Sequence, residues 1–479
     1  MAICPCLKRL RDRVPELLAL LLGALLRLSM ATTYDVRRGF DFAGHWVCAD
    51  YIARHGQIPP LVLSAASYHP PLYYLVLAAM IKIGLGIGAA GWLAALLGTV
   101  RLVVVWVGLE RWLPESRLAR VIALFTSALL PCGVQIDGMV SNETLSTLLC
   151  ALVMVALPAA VEGARSGRVK PAAWLGLWLG LALLTKFSAT VFILALVPAV
   201  AWEIFRLRAR QPLLAALRAR WKPYAVAASI ALALSGWFYV RNQRLYGQLA
   251  PTAFEGMLKP NQEPFEKIPY LERRAPDFFW GWDPQIFTYP YVPAGYWPRS
   301  KFFSVLVAST FSDYYSYALA NWRDGVAVRF IAHRPIPLLA FNLSCLSMCG
   351  GTFIALLTLL AWLGAAKKLR DRPDDPRAVL LLVPLLAVLG HIHFATKYPN
   401  NDFGPIKGHY MQFVAPVFCA LFGLAVAWMW RRVRTRAGAV AAVAALALVA
   451  VYIVDCRRPY FGRGATRAAP FLARGPSSG

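Results

Sequence analysis

Charge is scarce in this sequence. Only 15% of its 479 residues are Asp, Glu, Lys or Arg, where a soluble globular chain carries about a quarter. With 58% hydrophobic residues and a mean hydropathy of +0.53, the chain is not an ordinary water-soluble domain. Acid is scarcer than base: 24 Asp and Glu stand against 50 Lys and Arg, a net charge of +26. In a soluble protein such an excess would suit nucleic acid. Here the basic residues fall in short clusters between apolar runs, as in loops retained on the inner side of a membrane, which argues against nucleic acid.

Cysteine is sparse and scattered as well. Most of the nine lie inside apolar runs, where the thiol behaves as a small hydrophobe. Cys4 and Cys6 are too few ligands for zinc. No GxxxxGKS/T, HExxH, GxSxG or Rossmann glycine pattern stands in a supporting context, so nucleotide hydrolysis and zinc proteolysis are disfavoured. Internal repeats and a soluble domain of ordinary size are also lacking. The first apolar run follows Lys8, Arg9, Arg11 and Arg13 and has no convincing small-residue cleavage site, so it is expected to be an anchor helix.

Long apolar runs are what the chain has in plenty. They fall at 15–33, 71–88, 91–110, 119–136, 142–162, 171–185, 187–205, 223–241, 337–365, 377–395, 411–430 and 437–454, with lengths suited to crossing a bilayer. Basic clusters occur at 8–13, 111–120, 165–170, 206–222, 367–377 and 431–436. If all of these lie inside, the number of crossings between successive clusters is even. Three runs between Arg13 and Arg111 break that parity. The run 71–88 begins HPPLYY, carries Lys82 and ends in GLGIGAAG, so it is expected to be an outer juxtamembrane or re-entrant helix. An all-α polytopic membrane protein follows, with about eleven transmembrane helices, the N-terminus inside and the C-terminus outside. The expected division is a transmembrane module over 1–241 with a first outer loop at 34–70, a long outer loop at 242–335, C-terminal helices at 336–454 and an outer tail at 455–479.

This topology gathers four polar segments on the outer side. They are the first loop, QIDGMVSNE at 135–143, the long aromatic loop, and TKYPNNDFGPIKGHY at 396–410. Asp41 can act as a general base or help hold a cation; it is also a natural cap for a helix starting near Phe42. His45 falls one helical turn from it, on the same face. His69 precedes a Pro-started helix whose Tyr73 and Tyr74 suit an interfacial aromatic belt. Ser141 or Asn142 can cap the next helix, with Glu143 at the positive end of its dipole, and Asp137 is a further carboxylate nearby. Lys186 falls at an outer turn between helices, where a Lys can snorkel to water or grip a phosphate as a point charge. Arg241, Arg244, Lys407 and His409 lie at comparable outer ends. Basic groups there run against the positive-inside trend and point to an anionic lipid head group.

The order of these motifs (an acid in the first outer loop, HPPLYY, VSNE, LLTKFS, WFYVRNQRLYG) resembles the GT-C glycosyltransferases. Closest in pattern are bacterial members of the dolichyl-phosphate-mannose protein mannosyltransferase and aminoarabinose transferase group. GFDFAGH and SNE also look like the FDPYFN-type and DNE stretches of oligosaccharyltransferase catalytic subunits. The likeness spans about 15–250 and, weakly, 390–415. It implies a GT-C fold of about eleven to thirteen helices and outer-face transfer from a polyprenyl-phosphate-linked sugar to a protein, lipid or glycan. It implies Asp41 as base or acid-orienting residue, with Glu143 or Asn142 as the second-loop counterpart; the one-turn spacing to Asp41 adds His45 to the expected catalytic centre. Lys186, Arg241, Lys407 or His409 would take the donor phosphate, and His69, Tyr73, Asn142 and Tyr410 would contact substrate. Asp41-Phe42 replaces the Asp-Glu pair common in relatives, which argues against a metal; Asp41 and Glu143 would be the ligands if a divalent cation is used. His409 stands where many relatives have Arg. The expected location is a bacterial inner membrane with the site facing the periplasm. A lipid transporter or flippase is the rival; it would need charged groups near the bilayer midplane, where Lys82, Arg101, His391 and His393 are the candidates. A non-catalytic scaffold ranks last.

Overall fold

Inside a bilayer every backbone N–H and C=O must be satisfied within the protein, so apolar runs of this length fold as helices. The computed structural model describes residues 11–208, 211–252, 267–291, 300–315, 338–371, 374–399 and 404–432. Its helices are α1 (Val14–Thr33), α2 (Phe42–His55), α3 (Leu72–Lys82), α4 (Ile87–Trp112), α5 (Arg117–Leu129), α6 (Pro131–Ile136), α7 (Asn142–Arg165) and α8 (Lys170–Leu183). Then follow α9 (Thr190–Arg208), α10 (Leu213–Tyr246), α11 (Phe302–Phe311), α12 (Leu338–Asp371), α13 (Ala378–Lys397) and α14 (Ala415–Arg432). No strand occurs among the described residues.

Eight of these regions (α1, α4, α7, α9, α10, α12, α13 and α14) are long and apolar enough to cross a membrane. The protein is therefore an all-helical, multi-pass membrane protein, but the expected count of eleven is not reached among the described residues. The run at 119–136 breaks at Leu130–Pro131 into α5 and α6, leaving 13 residues in α5. The run at 171–185 yields only the 14 residues of α8. At 1.5 Å per residue each of these helices alone reaches about 20 Å, short of a hydrocarbon core of about 30 Å. The segments 117–136 and 170–186 nevertheless lead from the basic-cluster end of the bundle to the end that holds Glu143 and Lys186. The last expected crossing, 437–454, the tail 455–479 and much of the 242–335 loop lie outside the described residues. The helix α3, with 11 residues, has the non-crossing length expected for the 71–88 run.

The central helix is α7, with 78% of its span buried against 28% for α9, which turns Leu194, Val197 and Phe205 outward. Close helix contact is set by small residues. Gly176 and Gly180 of α8 face Ala227 and Ala231 of α10, and a Cβ on Gly176 would sit 2.4 Å from the Ala227 carbonyl oxygen. Such small-xxx-small faces let backbones approach where no hydrophobic effect drives helices together.

The two ends of the bundle differ. At one end the basic clusters are laced to acids and helix ends: Arg13 with Glu110, Arg117 with Glu16 at 3.2 Å, Arg165 with Glu203, Arg206 with Asp374, and Arg377 with Asp375 at 2.6 Å and the Trp112 carbonyl at 3.1 Å. At the other end the segments around 34–70, 135–143, 186 and 404–410 converge. That end carries the chemistry.

Candidate active site

Asp41 precedes α2 in a left-handed conformation (φ +54°), and no other non-glycine residue has positive φ among the described residues. The left-handed region costs an L-residue about 1–2 kcal/mol. Asp41 sits at the capping position, yet its carboxylate makes no capping hydrogen bond. Helix capping therefore does not account for this side chain.

One turn on, His45 is buried, and its Nδ1 lies 2.9 Å from the Tyr74 hydroxyl. The Tyr74 hydroxyl in turn donates to the Ala66 carbonyl at 3.1 Å. The His45 ring stacks on that of His69 at 5.9 Å and meets Tyr73 edge-on at 6.3 Å, while Tyr68 lies 4.0 Å from His69. Burial lowers the His45 pKa to about 4; the charge of Asp41 opposes this and that of Lys186 adds to it. Burial, then the charges of Lys186 and His45, hold His69 well below its ordinary value. Both imidazoles are therefore neutral at pH 7.

Glu143 opens α7, its backbone N–H accepted by Ser141 Oγ at 3.3 Å, so Ser141 rather than Asn142 is the cap. The Glu143 carboxylate pairs with Lys186 Nζ, and His409 Nε2 stands 4.0 Å from the same oxygen. Asn142 is buried, and its Nδ2 finds no hydrogen-bond acceptor among the described residues. Lys186 lies 4.9 Å above the Tyr410 ring. Lys407 lies 5.6 Å from that ring and 5.2 Å from Phe40, with no ion-pair partner among the described residues. Burial lowers its pKa; the charges of Asp41 and Glu143 oppose the shift and that of Lys186 reinforces it. The segment 407–410 is held by Gly408, whose N–H donates to Ser309 Oγ at 2.8 Å. A Cβ there would come within 2.6 Å of the Ser309 carbonyl oxygen, so the approach needs glycine.

The fold thus joins Asp41, His45, His69, Tyr73, Asn142, Glu143, Lys186, Lys407, His409 and Tyr410. It does not join Arg241, which turns to Asn242 Oδ1 at 3.2 Å and to the Tyr246 ring at 6.0 Å. Asp137 also lies elsewhere: it is fully buried between Arg27 and Arg101, each 2.7 Å from its Oδ2. Arg101 further donates to Thr147 at 2.9 Å, so this cation is held inside the bundle, in a cluster of two guanidiniums and one carboxylate. Of the other charged or titratable groups named for the transporter, Lys82 is exposed, His393 pairs with Tyr270 at 3.0 Å and His391 with the Pro405 carbonyl at 3.0 Å. Sequence reasoning passed over Phe40 and Tyr315. The Phe40 ring stands 4.2 Å from His409, and Tyr315 meets Phe40 edge-on at 6.3 Å and donates to the Ile406 carbonyl at 2.6 Å. The RRGFDF stretch offered a signal for Phe40; nothing marked Tyr315. A divalent cation fits the site poorly, because Asp41 and Glu143 are accompanied by two ammonium groups and Glu143 is already paired with one of them.

Residues 68–235 match the family model described as dolichyl-phosphate-mannose-protein mannosyltransferase. The matched stretch is about a third of the chain and includes HPPLYY, VSNE and LLTKFS, three of the motifs on which the resemblance rests. Solved structures similar to it include two from different organisms. One is the Archaeoglobus fulgidus oligosaccharyltransferase tethered with an acceptor peptide, at 15% identity and a TM-score of 0.49, covering 92% of this chain and 55% of that one. The other is ArnT from Cupriavidus metallidurans bound to undecaprenyl phosphate, at 15% identity and a TM-score of 0.46, covering 92% of this chain and 75% of that one. The chain thus spans about half the length of the oligosaccharyltransferase. No curated relative matches it in sequence.

Proposed function

We propose that the protein is an inverting glycosyltransferase, moving a sugar from a polyprenyl-phosphate donor to an acceptor at the outer face of a bacterial inner membrane. The observation that carries this is a carboxylate and a buried ammonium, Asp41 and Lys407, that share one site and are in no ion pair among the described residues. Asp41 takes the proton of the acceptor as its oxygen or nitrogen attacks the anomeric carbon. The bond from that carbon to the phosphate oxygen breaks, and the polyprenyl phosphate leaves with the electron pair. Lys407 neutralises the departing phosphate, with Lys186 and His409 beside it. Such fixed charges in a water-poor site act mainly by meeting charge that develops in the transition state. In this scheme Glu143 orients Lys186, the module 1–241 carries the base, 242–335 engages the acceptor (a protein, lipid or glycan), and 336–454 delivers Lys407. His69, Tyr73, Asn142 and Tyr410 line the substrate.

The test is transfer from a panel of radiolabelled polyprenyl-phosphate sugars, with purified protein in detergent and a membrane extract as acceptor. Asp41→Asn is expected to lower turnover by about 10²–10⁴, the range for a lost general base, and Lys407→Ala to abolish leaving-group support. Full activity in both variants sinks this assignment of roles. Absence of transfer or hydrolysis with every donor, in protein that stays folded, moves the weight to the transporter.

A further inference from the structure

We propose that His45 is locked as its Nδ1–H tautomer and presents a bare Nε2 that accepts a hydrogen bond from a substrate hydroxyl. The inference deepens the transferase reading and rests on it for the identity of the ligand, though not for the tautomer itself.

Proton counting fixes the tautomer. The Tyr74 hydroxyl has a single proton and two close neighbours, the Ala66 carbonyl oxygen at 3.1 Å and His45 Nδ1 at 2.9 Å. A carbonyl can only accept. If Tyr74 turned its proton to Nδ1, two oxygens would face each other at 3.1 Å with no proton between them. Both contacts are satisfied only when Tyr74 donates to Ala66 and accepts from Nδ1–H. The Ala66 carbonyl is fixed in turn, because it also accepts the His69 N–H at 3.1 Å. Tyr74 is about 1% exposed, so water does not substitute in this chain.

A neutral imidazole carries one N–H, and the partner of one nitrogen decides the state of the other. Burial keeps the ring neutral. Nε2 is therefore a lone-pair acceptor, and it has no hydrogen-bond partner among the described residues. His45 lies one helical turn from Asp41 and its ring stacks on His69, which puts it in the proposed site. Asp41 is exposed and His45 is buried one turn further along the same helix. A hydroxyl bound at Nε2 thus sits deeper than the proton that Asp41 removes, and His45 positions substrate without taking part in proton transfer.

The first experiment reads the nitrogen directly. In protein labelled with ¹⁵N-histidine, the His45 signals, assigned by their loss in His45→Gln, are expected to show a protonated Nδ1 and a bare Nε2. In Tyr74→Phe, which keeps the ring and loses the hydroxyl, that pattern is expected to invert or mix. A protonated Nε2 in the unaltered protein overturns the proposal, whether or not sugar transfer has been observed. The second experiment uses whichever polyprenyl-phosphate sugar is active. His45→Ala is expected to raise KM about tenfold with a smaller change in kcat, in line with a lost hydrogen bond at a buried site. Insensitivity to His45→Ala in one deoxy-sugar donor places the hydroxyl on the donor; insensitivity with an acceptor analogue places it on the acceptor. Sensitivity that persists with every analogue overturns the contact.

Discussion

His45 carries a pH dependence that follows from its burial. Its folded pKa of about 4 lies below the ordinary 6.5, so between those values the unfolded chain binds the proton and the folded protein does not. The stabilisation is complete above pH 6.5 and is lost as the pH falls toward 4. At pH 5 the loss is about 2 kcal/mol from this ring alone. His69 is shifted in the same direction and adds to the effect. Thermal unfolding in detergent at pH 7 and pH 5 is expected to show a smaller acid-induced drop for His45→Gln than for the unaltered protein. An equal drop in both would place the acid sensitivity elsewhere.

Among the helices, the contact of α8 with α10 is the least tolerant. Gly176 leaves the Ala227 backbone room that no side chain can share. Gly176→Leu is expected to push the helices apart and lower the apparent melting temperature sharply, whereas Gly364→Leu, where a Cβ meets nothing within 4 Å, is expected to change it little. Elements of this kind were legible in part. Hydropathy located each described crossing to within a few residues, and Lys82 with the glycines after it correctly kept α3 from being counted. The break at Leu130–Pro131 was missed because composition stays apolar on both sides of it, and hydropathy does not register a bend. The lone charge at Lys186 was seen, but the 14-residue length of α8 before it was not.

At the scale of the whole molecule, the Arg27–Asp137–Arg101 cluster ties α1, α4 and the segment after α6 together inside the membrane. Asp137 lies 110 residues from one partner and 36 from the other, so proximity along the chain gave no hint of the pairing. Its place near VSNE suggested the outer site instead, and only the packed bundle shows it engaged below. Asp137→Leu leaves two guanidiniums buried without their shared carboxylate and is expected to cost about 3–5 kcal/mol, as when one partner of a buried ion pair is removed. Folded yield and apparent melting temperature measure it; near-normal values would show that water or relaxation reaches the arginines. The outer-site residues were more legible than these, since Asp41, Glu143, Lys186 and Lys407 are polar groups in an apolar chain and stand out by type. Phe40 and Tyr315 are aromatic among many aromatics and do not.

The left-handed turn at Asp41 has a consequence for anyone who would engineer this protein. Glycine adopts that backbone without penalty, so a screen for heat-resistant variants would favour Asp41→Gly, gaining about 1 kcal/mol while discarding the proposed base. Selection for sturdiness and selection for turnover would then pull one codon in opposite directions, and an ancestor or homologue library sorted on melting temperature alone would be enriched in well-folded, idle proteins.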